Sequence, residues 1–191
     1  MEQNDAKAFY MECLSVELGE GRIRSIIDFF FPSANSYIRL MRQTEYHQRS
    51  EGWWHKLIEK YLKWKLGRFS VATGISIPPG TCDCGLTLYH HGSIVINQAT
   101  QIGRNCCIMN NVNIGTNNGS DKAPRIGNNV YIGPGAVIFG NIEIADNCYI
   151  GANSVVCKSV MEPNAVIMGV PGQIIRYEQL FWWQKNKLNR I

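Results

Sequence analysis

The chain has 191 residues, a formal net charge of +4, and 45% hydrophobic against 18% charged residues. This is enough for one domain with a real core, and it excludes wholesale disorder. Nineteen Lys and Arg against fifteen Asp and Glu form no dense stripe, which argues against nucleic acid as the main partner. No apolar run approaches the ~20 residues of a membrane span, so stable membrane insertion is not expected. The opening MEQNDAKAFY is polar and acidic rather than basic then apolar, and the seven cysteines are an odd number. Reduced thiols in a cytoplasmic protein are the expectation.

Residues 1–73 read as helices. Phe9, Cys13, Val16 and Leu18 suggest one apolar face, and Ile23, Ile26, Ile27 and Phe30 continue in that mode to Pro32. A third segment runs from Ser36 to about Gln48. A fourth, from Trp53 to Leu66, carries Trp54, Leu57, Ile58, Tyr61 and Leu62 at helical spacing, with Gly67 as its expected end.

From Gly74 the texture changes to Gly, Asn, Ile and Val. Isoleucine recurs every sixth residue at positions 96, 102, 108 and 114. It resumes in the same register at 126, 132, 138, 144 and 150, with Val156 following. Four residues after each lies a small or β-branched residue: Thr100, Cys106, Val112, Val130, Ala136, Ile142, Cys148, Ser154 and Val160. Gly103, Gly115, Gly127, Gly133 and Gly151 directly follow an isoleucine, which suits positive φ or close backbone approach. A period of six fits neither an α-helix nor an alternating strand. It fits short strands joined by turns, stacked so that a ladder of isoleucines fills a prism. The expected fold class is α+β, with a helical region over 1–73, a β-helix over 74–172, and a C-terminal tail or short capping helix over 173–191.

Between Ile114 and Ile126 a polar excursion, Gly115 to Arg125, leaves the solenoid and returns in register, as a functional loop does. Beyond Gly172 the tail carries Leu180, Phe181, Trp182 and Trp183 among scattered Lys and Arg. It reads as a helix capping the open end, with a membrane-surface helix as the alternative.

At the start of the repeats stands Leu88-Tyr89-His90-His91-Gly92-Ser93-Ile94-Val95-Ile96; one ring is expected to point outward and the other inward or into a turn. The segment resembles the Asp-His-x-x-Gly-Ile-Val-Val element of serine acetyltransferases. The likeness extends through Ile132-Gly133-Pro134-Gly135-Ala136, Ile150-Gly151-Ala152-Asn153-Ser154-Val155-Val156 and Gly169-Val170-Pro171. The resemblance implies a left-handed parallel β-helix and an acetyl-CoA-dependent O-acetyltransferase of the hexapeptide-repeat type. It also implies a homotrimer, or a dimer of trimers, whose sites form between neighbouring coils. Aligned on Ile94-Val95-Ile96, the family's general base falls on His90. An imidazole titrating near neutrality suits removal of a hydroxyl proton, a contribution of ~10²–10⁴-fold. A backbone N–H at Gly115 is the implied oxyanion donor. Gly133, Pro134, Gly135, Ala136, Gly151 and Ala152 would let the pantetheine arm lie along the coil, with Lys158 and Arg176 near the coenzyme's phosphates. Tyr89, His91, Asp121 and Lys122 would face the acceptor.

The departures from the family concern that acceptor. Tyr89 stands where the family has Asp before the base, and Asp121-Lys122-Ala123-Pro124 stands where its loop reads Asp-Arg-His-Pro. Losing charged hydrogen bonds for an amino acid makes a sugar hydroxyl, as on a surface polysaccharide, the favoured acceptor, with L-serine the alternative. No acid upstream of His90 except Asp83 offers itself as a partner. A non-catalytic β-helix binding module is the further alternative. Cys82-x-Cys84 lacks the spacing of a structural zinc site, and no metal is expected.

Overall fold

The computed structural model describes residues 3–18, 31–118 and 120–178. Among the described residues three helices precede the strands: α1 (Gln3–Leu18), α2 (Ala34–Arg49) and α3 (Trp53–Thr73). The expected segment over Ile23 to Phe30 lies outside the described residues. Helix α2 begins where Ser33 and Ser36 cap it reciprocally, the Ser36 N–H donating to Ser33 Oγ (3.1 Å) and the Ser33 N–H to Ser36 Oγ (2.6 Å).

Three expectations for these helices are corrected. On α1 the buried positions are Ala6, Cys13, Leu14 and Leu18, while Val16 is exposed. Gly67 does not end α3. Phe69 and Thr73 continue the buried stripe of Leu62 and Leu66 past it, and that packing outweighs the ~1 kcal/mol helix cost of one glycine. The helix stops at Gly74, which adopts φ 72° and donates its N–H to the Ser70 carbonyl. Of the apolar residues read as the inner face of α3, only Leu62 is buried; Trp54, Leu57, Ile58 and Tyr61 face outward.

From Ile75 the described residues wind through fourteen short strands in three sheets. One contains β1 (Ile75–Ser76), β3 (Ile94–Ile96), β6 (Asn113–Gly115), β9 (Val137–Phe139) and β12 (Val155–Val156). A second contains β4 (Gln101–Ile102), β7 (Arg125–Ile126) and β10 (Glu143–Ile144). The third contains β2 (Thr87–Leu88), β5 (Cys107–Ile108), β8 (Tyr131–Ile132), β11 (Tyr149–Ile150), β13 (Ala165–Met168) and β14 (Gln173–Tyr177). Every pairing is parallel except that of β13 with β14.

The register explains the period. Ile96 pairs with Ile114 and Ile114 with Ile138, Ile102 with Ile126 and Ile126 with Ile144, and Ile108 with Ile132 and Ile132 with Ile150. Each of these side chains is buried, and so are all the small residues four positions on. Burial of one such isoleucine contributes roughly 1.5–3 kcal/mol. Except at Gly115, the glycines after isoleucine answer close approach rather than positive φ. A Cβ at Gly133 would lie 2.8 Å from the Ala152 nitrogen, and one at Gly127 2.8 Å from the Asp146 nitrogen. Positive φ is instead carried at the turns by Asn105, Asn111, Asn129, Asn147, Asn153 and Asn164, since asparagine tolerates that region better than other side chains.

Helices and coil are joined by a buried ionic knot. Arg42 meets Glu17 (2.5 Å) and Glu45 (2.8 Å) and donates to the carbonyls of Cys82 (2.8 Å) and Asp83 (2.7 Å). Glu45 accepts from the Gly80 N–H, and Glu17 from the N–H groups of Gly85 and Leu86. Beside it Cys13 and Cys84 form a disulfide with Cα atoms 4.6 Å apart, so the expectation of reduced thiols fails for this pair. Helix packing brings them together across 71 residues of sequence, which spacing alone cannot reveal. At the other end, residues 173–177 form β14 rather than a helix; the rest of the expected capping segment, 179–191, lies outside the described residues.

Candidate active site

Two edges of the prism carry the nominated residues, one on either side of the sheet containing β3, β6, β9 and β12. The first edge holds the turn 89–93 between β2 and β3, with turns 109–112, 133–136 and 151–154 stacked on it. The second holds residues 116–124 between β6 and β7, with 140–142 and 157–159 beyond.

On the histidine edge, Tyr89, His90 and His91 are all exposed in the turn between β2 and β3, so of the two places expected for the second ring, inward or in a turn, it takes the turn. The turn is anchored by the end of α3. The Gly92 N–H donates to the Thr73 carbonyl (2.9 Å) and the Ile94 N–H to the Gly74 carbonyl (2.9 Å). A Cβ on Gly74 would sit 3.0 Å from the Gly92 carbonyl carbon, so the helix-ending glycine also permits this approach. Asp83 does not reach His90. Its carboxylate accepts from the Cys84 N–H (2.7 Å), and among the described residues no ion pair includes His90.

Further along this edge, the Gly135 N–H donates to Asn110 (3.0 Å) and the Asn153 N–H to Pro134 (2.8 Å). Gly133, Ala136 and Gly151 are buried in the stack, while Pro134 and Gly135 are half-buried and Ala152 is exposed.

The loop edge carries Gly115, Asp121, Lys122 and Lys158. At Gly115 the nearest atom to an added Cβ is Asn113 Oδ1 at 3.7 Å, unlike the tightly stacked glycines after the other isoleucines. Its carbonyl accepts from the Gly140 N–H (3.0 Å). Asp121 and Lys122 are exposed, and the loop folds on itself through Ser120, whose N–H donates to Asn117 and whose hydroxyl accepts from Lys122. A depression of about 520 Å³ lies against this loop, lined by Asn117, Ser120, Phe139, Gly140, Asn141, Ile142 and the exposed Cys157, next in sequence to Lys158. The sequence reading missed Cys157 as a lining residue. Its signal is that it follows Val156, where the other rungs of the repeat mostly carry glycine.

One chain therefore keeps His90 and the excursion on separate edges. Arg176 is on neither: it lies in β14 opposite Val166, 3.3 Å from Glu178. The outer face of that sheet carries an unforeseen cluster of Cys107, Tyr131 and Val166 with Met109 and Tyr149, in which the two tyrosine rings stack at 4.7 Å. Burial pushes the Tyr131 hydroxyl up to about 12. Its signal was the residue before each isoleucine on that sheet, which points outward while the isoleucine points in. Cys82 is fully buried, its thiol pushed up to about 12, and Cys84 is consumed in the disulfide. Among the described residues no three His, Cys, Asp or Glu side chains gather to hold a metal.

A parallel coil with this period, edged by a histidine turn and a polar loop, is the architecture of the hexapeptide-repeat acyltransferases. Residues 123–158 match the bacterial transferase hexapeptide (six repeats) family model. The serine acetyltransferase of Staphylococcus epidermidis is 36% identical over 174 residues, covering 82% of this chain and 79% of that protein. That of Mycobacterium tuberculosis is 37% identical over 112 residues, covering 57% of this chain and 48% of that protein, so the chain spans about half that relative's length. The crystal structure of Brucella abortus serine acetyltransferase in complex with coenzyme A superimposes with a TM-score of 0.70 at 25% identity, over 94% of this chain and 72% of that one. The chain belongs to the serine acetyltransferase-like branch of this family.

Proposed function

We propose that the protein is a serine O-acetyltransferase, moving the acetyl group of acetyl-CoA to the hydroxyl of L-serine with His90 as general base. It is an acyltransferase with acetyl-CoA as donor, as its family membership and the coenzyme A complex of its Brucella abortus neighbour require. The single observation behind the acceptor is that the relatives covering most of this chain are serine acetyltransferases. The saccharide acceptor expected from Tyr89 and Ala123 has no such support. Ala123, at the position that the resemblance gives to a histidine, is buried.

In the reaction, the His90 imidazole takes the hydroxyl proton as the oxygen attacks the thioester carbonyl. A backbone N–H of the turn opened by Gly115 holds the developing oxyanion. Collapse breaks the C–S bond, and the imidazolium returns its proton to the departing thiolate, leaving O-acetylserine and coenzyme A. Tyr89, His91, Asp121 and Lys122 are the proposed acceptor contacts. Pro134, Gly135 and Ala152 offer surface to the pantetheine arm, Gly133, Ala136 and Gly151 shape the edge beneath it, and Lys158 and Arg176 meet phosphate. Because His90 and Lys122 lie on opposite edges of one chain, a neighbouring coil in a trimer would supply the missing edge. The left-handed sense of the coil, the division at 73/74 and 172/173, and a cytoplasmic setting belong to the same reading.

Mass-spectrometric detection of acetyl transfer tests it. Wild type should convert L-serine, and His90→Ala should fall by about 10²–10⁴-fold while still binding acetyl-CoA. Acetyl-CoA binding without O-acetylserine would overturn the acceptor, and an unimpaired His90→Ala would overturn the base.

A further inference from the structure

Helix α3 has two apolar faces. At about 100° per residue, Leu62, Leu66, Phe69 and Thr73 fall on one narrow stripe, and these are its buried residues. Trp53, Trp54, Leu57, Ile58, Tyr61 and Trp64 fall on a separate arc of about 140°. All six are exposed, from 40% at Ile58 to 63% at Trp64. An exposed surface this rich in tryptophan is far beyond the scattered apolar residues of an ordinary surface. The protein thus grips α3 by one side and presents the other.

The charge around that arc says what it meets. Helix α3 carries Lys56, Lys60, Lys63, Lys65 and Arg68 against the single acid Glu59. By the same count Lys56, Lys60 and Lys63 line one flank of the arc, while Lys65 and Arg68 fall within its sector toward the C-terminal end of the helix, where flexible stems let the charged groups reach outward beside the aromatic rings. A second copy of this chain pairing face to face would bring the same cations into register, and like charges oppose that contact. An anionic lipid surface complements both features at once. Lysines meet headgroup charge, and Trp and Tyr settle at the boundary of headgroup and acyl chain. No helix among the described residues is long and apolar enough to cross a membrane, but a helix lying in the interface needs no such length.

We propose that α3 seats the protein on anionic membrane surfaces, in the plane of the headgroups, through Trp53, Trp54, Leu57, Ile58, Tyr61 and Trp64. This stands independently of the acetyl acceptor. The test uses the full chain with Trp182→Phe and Trp183→Phe, so that only the tryptophans of α3 report, with vesicles of phosphatidylglycerol and a phosphatidylcholine control. The expected result is co-sedimentation and a blue-shifted emission with phosphatidylglycerol only. Lys56→Gln with Lys60→Gln should weaken binding roughly thirtyfold, and Leu57→Ser should reduce it further with acetyl transfer unchanged. Three results would overturn the proposal. They are absence of co-sedimentation, equal binding by the lysine variant, and an emission already blue-shifted and indifferent to vesicles, as when a second copy covers the face.

Discussion

In the coil, a side chain's place in the six-residue period decides whether it is buried; in the helices before it, the neighbouring element decides. Every isoleucine from Ile96 to Ile150 in the ladder is buried, because each coil repeats the environment of the last. In α3, Trp54, Leu57 and Leu62 all fit a helical apolar pattern, yet only Leu62 is buried. A repeat carries its own tertiary context along the chain, whereas an isolated helix must borrow it. The two regions are then locked together by contacts outside the period: Arg42 donates to the carbonyls of Cys82 and Asp83, Glu45 and Glu17 accept from the N–H groups of Gly80, Gly85 and Leu86, and Cys13 is bonded to Cys84.

The largest expected effect breaks that lock. Arg42→Ala leaves two buried carboxylates facing each other and takes the guanidinium donors from the carbonyls of Cys82 and Asp83, and should cost about 3–5 kcal/mol. Hydrogen exchange should show α1 and α2 losing protection while the coil beyond β3 keeps it. Uniform loss throughout would mean that the two regions fold as one unit.

Next comes a matched pair. Ile132→Ala, at a fully buried rung, should cost about 2–5 kcal/mol in chemical denaturation, through lost burial and the cavity left behind. Leu57→Ala, apolar and at helical spacing but 52% exposed, should change stability by less than about 0.5 kcal/mol. Similar costs at both positions would erase the difference between coil and helix.

The smallest effect is a pH dependence between α2 and α3. His47 and His55 face each other with Nδ1 atoms 2.8 Å apart, and burial, reinforced by His55, holds the His47 pKa below its usual value. Below that usual value, near 6.5, the unfolded chain binds more protons than the folded one, so this contribution is present at neutral pH and is lost as pH falls. Amide protection around residues 45–58 should decline on acidification from neutrality, and His47→Gln should flatten the profile.

The isoleucine rungs, the small-residue positions and the in-register excursion were all legible in advance, because a period of six leaves only a stacked coil able to bury it. The resemblance singled out His90, but its surroundings were not legible. The anchoring of its turn to Thr73 and Gly74 depends on where α3 ends, and that was decided by burial of Phe69 and Thr73 beyond Gly67. Likewise the asparagines at the turns stood in plain view, but their left-handed conformation appears only once the coil closes.

By itself, then, the amino-acid sequence determined the coil and its inward face, since regular local repetition produces regular contacts with the next turn. Only the tertiary structure decided which face of α3 is left outside, that Cys13 meets Cys84, and that His90 and Lys158 stand on opposite edges. Those are contacts between segments distant along the chain, set by how helices and coil dock rather than by any spacing within them.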